Sequence, residues 1–387
     1  MPDGREEVLT RVISSINDVP AKDWNACAGT ANPFVRHAFL HALESSGSVS
    51  VKTGWLPQHL LIDGEDGNLA ACMPMYLKNH SYGEYIFDWG WAEAYERAGG
   101  KYYPKLQSAV PFTPATGNRM LVRDDLSNDY YSALIASMLQ LSRKHNVSSL
   151  HVTFPPKEQW DLLGKSGFLL RTSQQFHWKN CGYETFDHFL SVLSSRKRKA
   201  IKKERQKVAD QGITLKSLSG DELHEEHWDA FYDFYIDTIG RKYGHPYLTR
   251  EFFSMIGKTM PELAVLVTAE FKGRMVAGAL NLKGKDTIFG RNWGCLEDFK
   301  FLHFEACYYQ AIDFAIEHKL QWVEAGAQGP HKIQRGYLPR EVYSAHWIEN
   351  RNFRDAVEKF VEQERREVEF EIAGYMQYSP YRSGENG

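Results

Sequence analysis

Thirteen residues, 324–336, gather a carboxylate, two amides, an imidazole, an ammonium and a guanidinium around three glycines. They read EAGAQGPHKIQRG, so Glu324, Gln328, His331, Lys332, Gln334 and Arg335 fall within one short stretch. The glycines Gly326, Gly329 and Gly336 let backbone N–H groups approach a ligand closely. Lys332 and Arg335 supply cations, Gln328 a neutral donor, and His331 a polarising group. Such a set suits a carboxylate, a phosphate or an oxyanion developing at a carbonyl. An ordinary polar loop is the plainer alternative. A Walker loop is excluded, because no G-x-x-x-x-G-K-[ST] occurs.

Three further clusters could carry chemistry. Residues 301–319 have helical spacing, with Phe304, Cys307, Tyr308, Ala311, Ile312 and Ala315 on a buried arc. Glu305 falls at one edge of that arc and His303 at the other. A carboxylate there is desolvated or paired, and could act as a general base or hold a substrate amine. The alternative is a structural ion pair, for instance to Arg291. His303-Phe304-Glu305 matches H-x-E, but the P-C-x-x-C of a zinc deaminase is absent, so no metal is expected.

The second cluster is basic. Between Arg196 and Lys207, eight of twelve residues are Lys or Arg and one is acidic. Leu190, Leu193, Ala200, Ile201 and Val208 supply an apolar stripe, which makes an amphipathic helix with a cationic outer face. Arg198, Lys202 and Arg205 are expected on that face, either solvated or binding a polyanion such as tRNA or a nucleotide diphosphate. The third cluster is Asp88, Trp89, Trp91, Tyr95, Tyr102, Tyr103 and Lys105. It could form a substrate cleft wall, or pack two domains together.

These clusters need a scaffold, and the sequence repeats. GFLLRTSQQFHW (167–178) and GYLPREVYSAHW (336–347) share Gly, Leu, Arg, His and Trp at one offset. Two copies of one fold in tandem are implied, with a division at 1–179 and 180–387. In the first copy HLLID (59–63), LAACMPMYL (69–77), EYIFDW (84–89), LQSAVPF (106–112) and SLHVTF (149–154) read as strands, with a helix over 128–145. In the second, 263–270 and 275–283 form a hairpin, 287–293 and 321–326 are strands, and 185–211, 222–243 and 351–371 are helical. The fold class is therefore α/β (α+β), each copy a mixed, mostly antiparallel sheet flanked by helices.

The composition is 43% hydrophobic and 25% charged, that of a soluble globular protein, and 387 residues suit two domains. The five cysteines share no close spacing and read as reduced thiols. No run is long and apolar enough to span a membrane, and the N-terminus lacks a signal-peptide core, so a cytoplasmic protein is expected.

The element order resembles the GNAT acyltransferase fold. More specifically, SSRKRKAIKKERQKV (194–208), GRNWGCLEDFKFLHFEACYYQAI (290–312) and EAGAQGPHKIQRGYLP (324–339) resemble the Fem-like family, associated in bacteria with peptidoglycan biosynthesis. FDWGWAEAY (87–95), YYPKLQSAVPFTP (102–114) and the FHW strand look like the same family's first domain. The resemblance covers roughly residues 30–375. It implies an acyl or aminoacyl transferase acting on an amine acceptor, such as a cell-wall precursor. Glu305 or Glu324 would be the base, Gln328 and His331 polarising donors. Lys332, Arg335, Arg291, His303, Arg198, Lys202, Arg205, Asp88, Trp91, Tyr103 and Lys105 would hold substrate. No permanent cofactor is expected. The donor is open between aminoacyl-tRNA and acyl-CoA. Residues 294–300, GCLEDFK, lack the glycines that hold a CoA pyrophosphate, which favours the former. A CoA-dependent N-acyltransferase, or a binding protein for cell-wall precursor or RNA, remain the alternatives. The expected partner is a small-molecule or nucleotide-linked anionic substrate, with tRNA a further candidate; the oligomeric state is open.

Overall fold

The computed structural model describes residues 10–241, 244–326 and 329–382. It divides into two compact units, and the chain passes between them three times. Residues up to Ser173 and Val342–Arg366 form the first; Gln174–Glu341 and the residues from Glu367 onward form the second. A single cut at 179/180 does not reproduce these units.

In the first unit, strands Lys105–Ser108 and Ser149–Thr153 run parallel. Tyr76–Lys78 and then Trp55–Pro57 extend one side by antiparallel pairing. The other side of Ser149–Thr153 is completed by residues 344–348, where His346 lies opposite His151 and Trp347 opposite Leu150. A second, antiparallel sheet joins Thr10–Ile13, His59–Asp63, Leu69–Met73 and Leu121–Val122. Helix Asp129–His145 presents Leu134, Ile135, Met138 and Leu141 at helical spacing to Leu60, Ile62, Met73 and Leu150. Arg143, Lys144 and His145 complement the negative end of its dipole.

In the second unit, Ile213–Ser219, Ala264–Phe271, Arg274–Lys283 and Thr287–Cys295 form an antiparallel meander. The hairpin turns at Lys272 and Gly273, both with positive φ, 50° and 74°, the two-residue turn whose twist matches the strands it joins. Trp322–Glu324 then pairs parallel with Thr287–Cys295, and residues 177–179 close its other side, Trp178 opposite Val323 and His177 opposite Glu324. Helix Glu225–Arg241 crosses so closely that a Cβ on Gly294 would meet the Phe234 carbonyl carbon at 2.4 Å, so only glycine fits.

The repeat is therefore real at the level of register. In each unit the repeated His-Trp pair lies opposite the two residues of a strand that itself runs parallel to the next. The repeated turn glycines have left-handed backbones, φ 87° at Gly167 and 92° at Gly336. The closing strands are exchanged: the one ending the first repeat completes the second unit, and the reverse. One expected strand is absent. EYIFDW (84–89) is irregular and leads into helix Trp89–Arg97, because Glu84 and Asp88 both turn inward to Lys105.

His151 and His346 sit with their Nδ1 atoms 2.6 Å apart, both buried. Burial holds His151 down to about 3 and His346 well below its ordinary value, so both are neutral. The unfolded chain binds protons at these histidines near pH 6.5 and the folded chain does not. Their contribution to stability is complete above pH 6.5 and is lost as the pH falls, at up to about 1.4 kcal/mol per pH unit per histidine. The melting temperature should fall between pH 6.5 and 5, and His151→Gln/His346→Gln should flatten that slope. An equal slope in the double variant would contradict this.

Candidate active site

The second unit opens where its two parallel strands part. Thr287–Cys295 and Trp322–Glu324 pair only through Thr287–Trp322, Ile288–Val323 and Phe289–Glu324. Beyond Phe289 the longer strand stays with Arg274–Lys283, past a bulge at Leu280/Asn281, while the shorter one leaves the sheet at Ala325. The fork holds a cavity of about 110 Å³ whose lining includes Asn281, Arg291, His303, Cys307, Tyr308 and Ala325. His303, Cys307 and Tyr308 come from a helix that is regular over Leu302–Phe304, widens to a π turn over Glu305–Tyr309, and resumes over Gln310–Glu317. Such π turns concentrate at functional sites.

The loop beyond the fork is pinned from inside. Lys332 is buried and donates from Nζ to the carbonyl oxygens of Ala325 and Gly326, both at 2.7 Å. Burial lowers its pKa to about 8, against a smaller opposing effect of Cys307. Arg335 is also buried. It stacks 3.4 Å over the Phe304 ring and grips Glu204 through Nε and Nη2. Lys332 and Arg335 therefore hold the loop itself, and the expected role of binding a substrate anion is replaced by that of shaping the site. His331 is exposed, and its Nε2 shares a 2.9 Å hydrogen bond with the Tyr308 hydroxyl. Burial, then Lys332 and Arg335, lower the His331 pKa, while burial raises that of Tyr308. The pair is a neutral imidazole and a protonated phenol at neutral pH. Arg291 and His303 line the fork cavity, and Glu324 ends the short strand beside it. Gln328 lies outside the described residues.

Glu305 faces elsewhere. Its Oε1 accepts from Arg205 Nη2 at 2.9 Å and from Gln310 Nε2 at 2.8 Å, and it does not line the fork. Arg205 also reaches Asp313 at 2.7 Å. Burial opposes the Arg205 charge, but the two carboxylates outweigh it and raise its pKa. Burial pushes the Asp313 carboxyl up against the pull of Arg205. A pocket shared by Glu305, His331, Lys332 and Arg335 is thus not formed. Helix Ser195–Asp210 turns Glu204 and Arg205 inward, so Arg205 is not on the cationic face. Lys202 is exposed but paired with Asp187 at 2.8 Å, and Arg198 is half-buried, its Nη1 3.5 Å from the Ser191 carbonyl. Arg196, Lys199, Lys203 and Lys207 make up the open face.

In the first unit, Asp88 and Lys105 are interior residues. Lys105 donates to Ser81, Glu84 and Asp88, and Tyr102 donates to Asp88 at 2.7 Å. Burial pushes Glu84 up to about 7 and Lys78 down to about 6. Trp91 packs edge-on against His346 and beneath Arg171, and the Tyr103 hydroxyl bonds to Ser81 at 2.9 Å. The expected cleft wall is this unit's polar core. Lys105 pairs with one oxygen of each carboxylate, and a buried charge cluster persists only when so paired.

This arrangement is a GNAT-type mixed α/β fold. The chain belongs to the FemAB-like family of peptidoglycan biosynthesis/recognition, whose model matches residues 15–383. Among solved structures it is similar to FemX, with TM-score 0.55 and 11% identity, over 90% of this chain and 100% of the other. It is also similar to L-PGS from Bacillus licheniformis, with TM-score 0.52 and 12% identity, over 86% and 98%. At these identities the likeness is one of fold. No curated protein matches the sequence significantly. Among the described residues no helix is long and apolar enough to cross a membrane, and no cluster of His, Cys, Asp and Glu could hold a metal.

Removing Arg205 leaves two carboxylates facing each other. Arg205→Met should cost about 3 kcal/mol in urea unfolding, the scale of a broken, largely desolvated pair. Lys203→Met on the same helix should change stability by less than about 0.5 kcal/mol. Equal effects would contradict the inward assignment of Arg205.

Proposed function

We propose that the protein is an acyltransferase of the aminoacyl-transfer type, moving an acyl group from an ester onto an amine, with its reaction centre at the fork of the second unit. The His331–Tyr308 hydrogen bond beside that cavity is the observation that carries the reading. An acceptor amine must lose a proton before it attacks. A neutral imidazole can take that proton, and its depressed pKa keeps it neutral at pH 7. Attack on the ester carbonyl gives a tetrahedral oxyanion, for which Arg291 and the Tyr308 hydroxyl, both lining the cavity, are candidate donors. Collapse expels the ester oxygen, and the imidazolium returns the proton to it. Glu324, at the end of the short strand, is the second candidate base.

The donor is read from two features. Residues 296–300 end the strand and enter the helix without a glycine-rich turn. Glu297 lies 3.5 Å from Arg274 and Asp298 3.8 Å from Arg241. This acidic connection argues against a CoA pyrophosphate there. The open cations Arg196, Lys199, Lys203 and Lys207 suit a polyanionic carrier such as tRNA. The family's link to peptidoglycan supports an amine on a cell-wall precursor as acceptor.

His331→Gln and Tyr308→Phe should each lower turnover by roughly a hundredfold, the range of lost general acid–base catalysis, with little change in melting temperature. The acid limb of the pH–rate profile should lie below about 6.5, the ordinary histidine value, and vanish in His331→Gln. Full activity in both variants would remove the pair from the mechanism. Reversing Arg196, Lys199 and Lys203 to Glu should weaken tRNA binding and make its salt dependence shallower. Unchanged affinity would reduce that face to a solvated surface.

A further inference from the structure

The second unit has another cavity besides the fork. It has a volume of about 750 Å³ and lies between helix Ser195–Asp210, the segment around Phe186 and strand Ile213–Ser219. It shares no lining residue with the fork cavity. Much of its wall is apolar, from Phe186, Leu190, Val208, Ile213 and Leu215. Its polar edge holds Asp187, Lys202, Arg205 and Glu305.

Both cations at that edge are already engaged. Lys202 is matched by Asp187, and Arg205 is held by Glu305 and, outside the lining, by Asp313. Glu305 is 4% exposed, and both donors it receives go to Oε1. Its Oε2 is buried and has no hydrogen-bond partner. A buried carboxylate oxygen without a donor is costly, and a wall residue in that state points to a ligand that supplies the donor. The guanidinium of Arg205 lies flat over Phe186, 4.3 Å from the ring centroid, which fixes it on the carboxylates and keeps it from a ligand anion.

We propose that this cavity is a second ligand site, for a primary ammonium carried on an aliphatic body: the ammonium donates to Glu305 and the body lies on Phe186, Leu190, Val208 and Leu215. With Lys202 and Arg205 both held by carboxylates, neither cation is left for a ligand anion, and the apolar wall disfavours small hydrophilic cations. The site is independent of the chemistry at the fork, and its test needs no turnover.

Isothermal calorimetry on the full chain with n-hexylamine, n-hexanol and hexanoate at neutral pH tests it. Hexylamine should bind, with hexanol and hexanoate at least tenfold weaker. Glu305→Gln should remove the preference for the amine. Ala209→Trp, an exposed substitution at the cavity wall, should block hexylamine without touching the ion pairs, and serves if Glu305→Gln fails to fold. Equal binding of all three probes, a preference for hexanoate, no binding at all, or hexylamine binding unchanged by Ala209→Trp would overturn the proposal.

Discussion

The second unit depends on one buried ammonium. Lys332 gives up solvent to hold the carbonyls of Ala325 and Gly326, directly past the point where the short strand leaves the sheet. Two parallel strands of a sheet would otherwise continue to pair, since unpaired backbone groups in the interior are costly. The ammonium takes over those acceptors, so the strands can part and leave a cavity between them. The first unit shows the opposite outcome at its own parallel pair. Beyond Ser108 and Thr153, Arg119 is fully buried and donates to the carbonyls of Thr153, Ala115 and Gly117. A guanidinium fills the space there, and the proposed chemistry belongs to the unit whose fork stays open.

Much of this was legible in the sequence. The repeat, its left-handed glycines and the hairpin at Lys272-Gly273 follow from local rules, because turn geometry is decided by a few residues. Arg291 and Glu324 lie on strands with clear patterns and His303 on the helix that follows, so their placement near one another is legible too. Helical spacing puts Glu305 at the edge of the buried arc opposite His303, and leaves open whether that edge meets a substrate or an ion-pair partner. The structure supplies the partner, Arg205, from a helix a hundred residues away in sequence. Arg205 was misplaced because a basic run hides which of its members turn inward. The partners that decide it, Glu305 and Asp313, are a hundred residues away in sequence. The exchange of closing strands left no local signal, because each strand carries the same pattern in either unit. Lys105 and Asp88 looked like a cleft because aromatic and charged residues together serve both clefts and paired cores.

The basic helix joins these features. Its outer face offers open cations, while Glu204 and Arg205 on its inner face bind Arg335 on one side and Glu305 with Asp313 on the other. The same helix therefore anchors the loop that carries His331 and presents charge to solvent. Under the proposed function, a polyanionic carrier held outside would lie on the element that fixes the His331 loop inside, so positioning of the donor and of the base would share one support.

The location of the reacting acyl group is the central claim. A diazirine-bearing aminoacyl ester of a tRNA acceptor minihelix, irradiated with the protein and mapped by mass spectrometry, tests it directly. The account predicts crosslinks within residues 290–293 and 303–308, lost when excess unmodified aminoacyl minihelix competes. Competable crosslinks confined to other segments, with none at the fork, would contradict it.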